Sequence, residues 1–248
     1  MLLVDRALTH DDAVNHRQGK GGTKLRNIKI NSREEASALT GGITTDHVSR
    51  LVISGLDLDA LPDVLLSEKH DSLAVLHLQR NALVLLPSEL FLNLKGLQEL
   101  DGSENRLSYI PETIGTLSNL RKLRLRGNQL RDLPDGICRL RALQELDLSQ
   151  NPLEVLPAGI GMLQRLTRMD LSDNSCLQEI PDEAGQLLAL DHINLKGTPV
   201  IRMPLAIQRL KTKGELLRCK ALRRKLVGRA LHIRSSVRRA FLEEALML

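Results

Sequence analysis

The chain has 248 residues and a formal net charge of +5 at pH 7, and 42% of its residues are hydrophobic. It contains no Trp, one Tyr and two Phe, so most large side chains that can fill a core are Leu, which indicates repeated, equivalent core sites. No run of about 18 apolar residues occurs, which excludes an ordinary membrane-spanning helix, and the first residues do not resemble a signal peptide. We therefore expect a soluble, cytoplasmic protein.

Formal charge is spread unevenly along the chain. Residues 202–248 contain 13 Lys and Arg and three acidic residues, a net charge of +10, so residues 1–201 carry −5 of the total of +5. The three cysteines, Cys138, Cys176 and Cys219, have neither metal-ligand nor redox spacing. We expect reduced thiols that are mostly buried.

Residues 1–46 form a polar N-terminal flank. Gly19-Lys20-Gly21-Gly22 has the glycine content of a phosphate-binding loop but departs from the G-x-x-x-x-G-K-[ST] pattern. Disorder is expected for residues 9–27. Ser32 stands three residues before Glu35, as in a capping box, which predicts a short helix over residues 32–39 that covers the edge of the first repeat.

A periodic register starts at about residue 47. Seven of the nine prolines are 23 to 25 residues apart, and each follows Leu, Ile or Met. An Asn stands six residues before four of these prolines and seven before a fifth. The prolines are Pro62, Pro87, Pro111, Pro134, Pro157, Pro181 and Pro204, and the asparagines are Asn81, Asn105, Asn128, Asn151 and Asn174. The repeated pattern is L-x-x-L-x-L-x-x-N-x-L.

Each period is expected to form one coil of a solenoid. Apolar and polar residues alternate in Leu123-Arg124-Leu125, which predicts a short strand with one buried face. The Asn amide can satisfy backbone groups in its own turn and in the neighbouring coil. The Leu-Pro step starts a return path, which we expect to be a short helical or 3₁₀ segment. Stacked coils bury one another, so the pattern predicts about seven parallel strands in residues 47–210.

Some positions depart from the pattern. Leu56 and Thr198 occupy the Asn position in the first and last coils, and Gly102 replaces an apolar strand residue in the third. Atypical terminal repeats are normal in solenoids, because the end coils must cover an open core.

The L-x-x-L-x-L-x-x-N-x-L-x-x-L-P-x-x-I-G-x-L form of residues 97–117, 120–140 and 143–163 resembles the Ras-group, plant-intracellular-type leucine-rich-repeat proteins. The resemblance covers about residues 48–210. It implies an α/β leucine-rich-repeat solenoid with a concave parallel sheet. It also implies an adaptor in intracellular signalling, with a small GTPase or a phosphatase subunit as partner, although a fold alone does not determine a function.

The register assigns three columns of side chains to the concave face, where we predict the binding site for a protein partner. Coil four presents a basic stripe between acidic residues of coils three and five. These charges pair across strands, complement a partner, or do both. Seven strands span roughly 30 Å, which suits a protein interface. The predicted site consists of Arg50, His77, Glu99, Asp101, Lys122, Arg124, Arg126, Glu145, Asp147, Arg168, Asp170, His192 and Asn194.

Residues 211–248 are predicted to form a basic C-terminal helix. Apolar residues recur at helical spacing from Cys219 to Phe241, and most basic residues fall off that stripe. A cap on the last coil is the favoured interpretation. The alternative is a recruitment factor whose helix binds an anionic membrane surface, calmodulin or, least expected, a nucleic acid.

No set of catalytic residues stands out. The seven histidines fall on different coils or in the flanks, and no Cys–His pair or G-x-S-x-G element is placed by the repeat. His77 and Asp101 are expected to approach each other on adjacent strands, but no nucleophile accompanies them. We therefore predict no catalytic site, no metal and no cofactor, and a non-enzymatic scaffold.

Overall fold

The computed structural model describes residues 26–37, 48–67 and 69–208. Within these residues eight parallel strands form one sheet, and each strand pairs with the next one along the chain. The strands are β1 (Arg26–Lys29), β2 (Val48–Val52), β3 (Val75–His77), β4 (Glu99–Asp101), β5 (Lys122–Arg124), β6 (Glu145–Asp147), β7 (Arg168–Asp170) and β8 (His192–Asn194). None of the described helices has the length and apolar composition needed to cross a membrane.

The strands are aligned as the repeat predicts. Leu76 is opposite Leu100, which is opposite Leu123, which is opposite Leu146. Each of these leucines lies at the centre of a three-residue strand whose two outer side chains are only partly buried. The parallel leucine-rich-repeat solenoid predicted from the sequence is confirmed.

The return segments are short helices. The α-helices are α1 (Arg33–Ser37), α2 (Val64–Ser67), α3 (Ser88–Asn93) and α4 (Leu205–Gln208), and the 3₁₀ helices are Glu112–Thr116, Asp135–Arg139, Ala158–Met162 and Asp182–Gln186. A Pro in extended conformation, with φ between −69° and −60°, precedes each 3₁₀ helix. Proline fixes φ and lacks an N–H, so it ends the extended segment and admits the helix at its first residue.

A single apolar core runs along the solenoid between the sheet and the return segments. Ile137 and Leu140, three and six positions after Pro134, are fully buried, as the repeat predicts. Each such buried Leu or Ile contributes about 1.5–3 kcal/mol. Gly102 is also buried, and a Cβ there would lie 3.3 Å from Cδ2 of Leu125. The neighbouring coil has therefore filled the space that a Leu occupies in other coils.

The N-terminal end has one strand more than the repeats predict. Residues 26–29, assigned to the polar flank and in part to disorder, form β1, and Ile28 is opposite Leu51 of β2. The signal was present, since Ile28 and Ile30 keep the apolar alternation of a strand, but Arg33 occupies the position of the Asn column and no Leu-Pro step follows. Strand β1, and not the predicted helix, pairs with the edge of β2. Helix α1 follows β1 in the chain.

The capping box has the predicted residues. The backbone N–H of Glu35 donates to Oγ of Ser32 (3.1 Å), and Oε2 of Glu35 accepts from the backbone N–H of Asn31 (2.9 Å). The predicted disorder of residues 9–25 and the predicted basic helix at residues 211–248 lie outside the described residues.

Candidate functional site

The outward strand residues form the predicted columns on one face of the sheet, called here the concave face. Strand β1 adds Asn27 and Lys29 to this face. The strand register places Arg50, Val75, Glu99, Lys122, Glu145, Arg168 and His192 in one column and Val52, His77, Asp101, Arg124, Asp147, Asp170 and Asn194 in the next. The third column contains Arg126, whose carbonyl accepts from the N–H of Glu104 one coil before.

Five charged or titratable side chains form a continuous network across β3 to β6. Nη1 of Arg124 donates to Oε1 of Glu99 at 2.6 Å, and Nη2 of Arg124 lies 3.5 Å from Oε2 of Glu145. Nζ of Lys122 lies 3.6 Å from the same Glu145 oxygen. His77 Nε2 lies 3.3 Å from Oε1 of Glu99. The alternating charges of coils three to five therefore pair across the strands, as one of the two interpretations predicts.

Glu99 is the centre of this network. Partial burial by itself raises the pKa of the Glu99 carboxyl group. The hydrogen bonds from Arg124 and His77 lower this pKa by more than burial raises it, so the pKa lies below its ordinary value. Burial likewise lowers the pKa of Arg124, and its hydrogen bond to Glu99 reverses this, so that the pKa is raised overall. Both groups are held in their charged forms.

Three aspartates of the second column bond to their own backbone. Oδ1 of Asp101, Asp147 and Asp170 each accepts from the N–H of the Ser two residues later, at 2.9–3.0 Å. In the last two cases it also accepts from the Ser hydroxyl, at 2.6–2.7 Å. Such Asx-type bonds hold the turn that follows each strand. The repeat pattern predicts only a surface role for these aspartates, and it predicts that His77 lies near Asp101, whereas His77 contacts Glu99.

Two side chains of the third column keep hydrogen-bonding capacity. Oε1 of Gln79 is buried and has no hydrogen-bond partner within the described part of the chain. Arg126 is exposed and donates from Nε to the neutral amide oxygen of Gln150 (3.2 Å) rather than to a carboxylate. Gln79 was not among the predicted site residues, because an unused acceptor cannot be recognised without coordinates.

Both side chains line an open depression of about 520 Å³ on the concave face. Its walls also include Arg80 and Glu104, which pair with each other at 2.9 Å. The remaining lining residues are Ser54, Gly55, Asp101, Ser103, Arg124 and Asp147. The depression therefore joins the charged network to the unused acceptor of Gln79.

The Asn column stabilises the rim of this face. Nδ2 of Asn128 donates to the carbonyls of Leu125 in its own coil and Gly102 in the coil before, each at 3.0 Å. Oδ1 of Asn128 accepts from the N–H of Leu107 at 3.0 Å. Asn81, Asn105, Asn151 and Asn174 make equivalent bonds. Each of these asparagines thus bonds to backbone groups of its own coil and of the coil before.

The outer predicted residues are separate from the network. Arg50 and Arg168 form no ion pair with any residue that the structure describes. Asn194 donates from Nδ2 to Oδ2 of Asp170 at 3.0 Å. No group of three or more His, Cys, Asp or Glu side chains within the described ranges could hold a metal ion.

The parallel strands, the buried leucines and the Asn column are those of a leucine-rich-repeat solenoid fold. Residues 99–195 match the family model of the leucine-rich repeat region. A segment of 62 residues is 47% identical to the probable serine/threonine-protein kinase pats1 of Dictyostelium discoideum, and this match covers 25% of the chain but 2% of the kinase.

Several solved structures share the fold. A leucine-rich-repeat protein of Leptospira interrogans is 28% identical with a TM-score of 0.67, and the match covers 80% of this chain and 53% of that one. The ectodomain of the plant membrane receptor kinase GASSHO1/SCHENGEN3 of Arabidopsis thaliana, in complex with CASPARIAN STRIP INTEGRITY FACTOR 2, is 29% identical with a TM-score of 0.52, over 67% of this chain and 23% of that one. The LRIM1/APL1C complex, at 21% identity and a TM-score of 0.57, shares the fold alone, over 64% of this chain and 29% of that one.

Proposed function

We propose that this protein is a non-catalytic interaction scaffold whose concave face binds a protein partner. The observation that carries the proposal is the depression of about 520 Å³ on this face, in which Gln79 retains an unused buried acceptor beside exposed Arg126. A buried acceptor without a donor costs about 1–3 kcal/mol. Rotation of the Gln79 side chain into the depression would expose this acceptor, and a partner that supplies the donor would then recover the free energy on binding. The Arabidopsis ectodomain, solved in complex with CASPARIAN STRIP INTEGRITY FACTOR 2, supports the choice of a protein ligand.

The chemistry of the depression describes the partner. Gln79 requires an N–H donor, and the guanidinium of Arg126 favours a carboxylate or a carbonyl oxygen. The network around Glu99 is already paired, so it holds the surface in one arrangement and contributes specificity rather than a large affinity. The interface is polar, because no aromatic side chain stands in any of the three columns.

The finer role rests on the resemblance of the repeats. The L-P-x-x-I-G-x-L form is that of the Ras-group, plant-intracellular type, whose members are adaptors in cytoplasmic signalling. A small GTPase or a phosphatase subunit is the corresponding partner class. The chain spans only 2% of the kinase and 53% of the Leptospira protein that it matches. The activities of those whole proteins therefore do not support a function for this chain.

Affinity capture followed by quantitative mass spectrometry tests the concave face. The variant Arg126→Glu with Arg168→Glu changes two concave residues that form no ion pair with any described residue, so the network stays intact. The control, Arg106→Glu with Arg131→Glu, changes the net charge equally on another surface and breaks only the exposed ion pair between Arg131 and Glu154. We expect the first variant to lose its partners and the control to keep them. Equal retention by both variants would exclude the concave face.

A recruitment role for the C-terminal segment is the second candidate, and the net charge of +10 on residues 202–248 favours it. Binding of the whole chain to vesicles of phosphatidylserine, or to calmodulin, should then weaken steeply with salt. Replacing Arg223, Arg224, Arg238 and Arg239 by Ala should abolish that binding and leave capture by the concave face unchanged. Salt-independent binding, or binding unaffected by the substitutions, excludes this candidate.

A further inference from the structure

A second charged surface lies where each return segment leads into the next strand. Lys95, Arg121, Arg141 and Arg165 stand there, one in each of four consecutive coils, and all four are exposed. None of them forms an ion pair with any described residue. The four segments 95–98, 118–121, 141–144 and 164–167 contain no acidic residue. We call this surface the basic flank.

The absence of any ion pair on the basic flank contrasts with the paired cations at the centre of the concave face and on the return segments. On the concave face Arg124 and Lys122 pair with glutamates, and on the return segments Arg139 pairs with Glu112 at 3.1 Å. Coils repeat at about 4.8 Å, so four coils place their cations within roughly 15 Å. This distance is less than two Debye lengths at physiological salt. The four charges therefore produce one continuous positive potential.

An open depression of about 470 Å³ lies within the basic flank. Arg141 and Arg165 stand on its walls, together with Met162, whose surface is 56% exposed. Nε2 of Gln164, also in the lining, donates to the carbonyls of Gly161 and Gln186. Leu188 takes the place of Gln164 in the next coil and is 86% exposed. Solubility alone explains exposed arginines, but it does not explain exposed apolar side chains beside them.

We propose that the basic flank binds an acidic segment of a protein partner and that an apolar side chain of this segment enters the depression beside Met162. A recess favours an inserted side chain, whereas a bilayer requires protruding groups. Single-stranded nucleic acid requires stacking aromatics, and of the described aromatics Phe91 is fully buried while Tyr109 precedes Pro111 in a different segment. The C-terminal residues 209–248, with 12 Lys and Arg and three acidic residues, have the wrong charge to occupy this surface.

This surface is independent of the concave face, so its test does not rest on the proposed function. The probe is a short peptide in which Glu alternates with Leu, and the comparison peptide alternates Glu with Ser. The whole chain is labelled with ¹³C at its methionine methyl groups. Met162 reports on the depression, and Met169, which is fully buried, is the internal control.

The Glu–Leu peptide should shift the Met162 signal and leave Met169 unchanged. The Glu–Ser peptide should require about tenfold more peptide for the same shift, because it lacks the inserted apolar group. Arg141→Glu with Arg165→Glu should abolish the shift, and Arg106→Glu with Arg131→Glu should preserve it. An unmoved Met162 signal, equal shifts by both peptides, or an unaltered shift in the first variant overturns the proposal. A Met162 response to phosphatidylserine vesicles or to single-stranded DNA but not to the peptide assigns the surface to that ligand instead and also overturns it.

Discussion

Replacing Asn128 by Ala tests the physical basis of the coil stacking. The substitution removes one accepted hydrogen bond and two donated bonds of 3.0 Å, together with a longer contact of 3.3 Å to the carbonyl of Arg126. The carbonyls of Gly102 and Leu125 keep a second donor, from Asn105 and Asn151 respectively. The buried N–H of Leu107 loses its side-chain acceptor, which costs about 1–3 kcal/mol, and each lost donated bond adds about 1 kcal/mol. We expect the free energy of unfolding to fall by about 3–5 kcal/mol.

Urea unfolding followed by circular dichroism measures this loss. Asn119 provides the matched control, because it is an exposed Asn of the same coil with a single bond to the carbonyl of Lys95 (3.1 Å). Asn119→Ala should cost less than about 1 kcal/mol. If the two variants unfold at the same urea concentration, the Asn column does not stabilise the solenoid in the way described.

Three further predictions concern single residues. Gly136→Ala should lower the free energy of unfolding by at least about 1–3 kcal/mol, since a Cβ there would overlap the carbonyl oxygen of Glu112 in the coil before; unchanged urea unfolding would contradict this close approach. At pH 8 maleimide should label exposed Cys176 much faster than Cys138, because burial raises the pKa of the Cys138 thiol to about 11, and equal rates by peptide mass spectrometry would refute this. The pKa of Glu99 is lowered in the fold, so its stabilising effect is fully present above its ordinary pKa of 4.5 and is lost progressively as pH falls through the lowered pKa. Glu99→Gln should therefore destabilise more at pH 7 than at pH 3, and an equal loss at both pH values would argue against the network.

The repetitive part of the fold could be predicted from the sequence because its causes are local and periodic. Alternating apolar residues, such as Leu123 and Leu125, define each strand. A step such as Leu133-Pro134 marks the start of each return segment. Strand β1 was not predicted, because Asn31 directly follows Ile30 instead of standing three residues after it, and no Leu-Pro step follows in that period. A single strand without its repeat carries too little periodicity to be recognised.

The columns of the candidate site could be predicted, but their contacts could not. The register places His77 opposite Asp101, and the choice of Glu99 as its partner depends on side-chain rotamers. The carboxylate of Asp147 accepts a hydrogen bond from the backbone N–H of Ser149 in its own turn. This short-range bond competes with a role in binding at the surface. The unused acceptor of Gln79 depends on what surrounds it, so only the assembled coils show it.

Hydroxyl-radical footprinting of the whole chain, alone and with its captured partner, tests the central claim most directly. Oxidation of Val75, His77 and His192 on the concave face should decrease in the complex, while Tyr109 on another surface should react at the same rate. Unchanged oxidation of the three concave residues, together with protection elsewhere in the chain, would contradict the account.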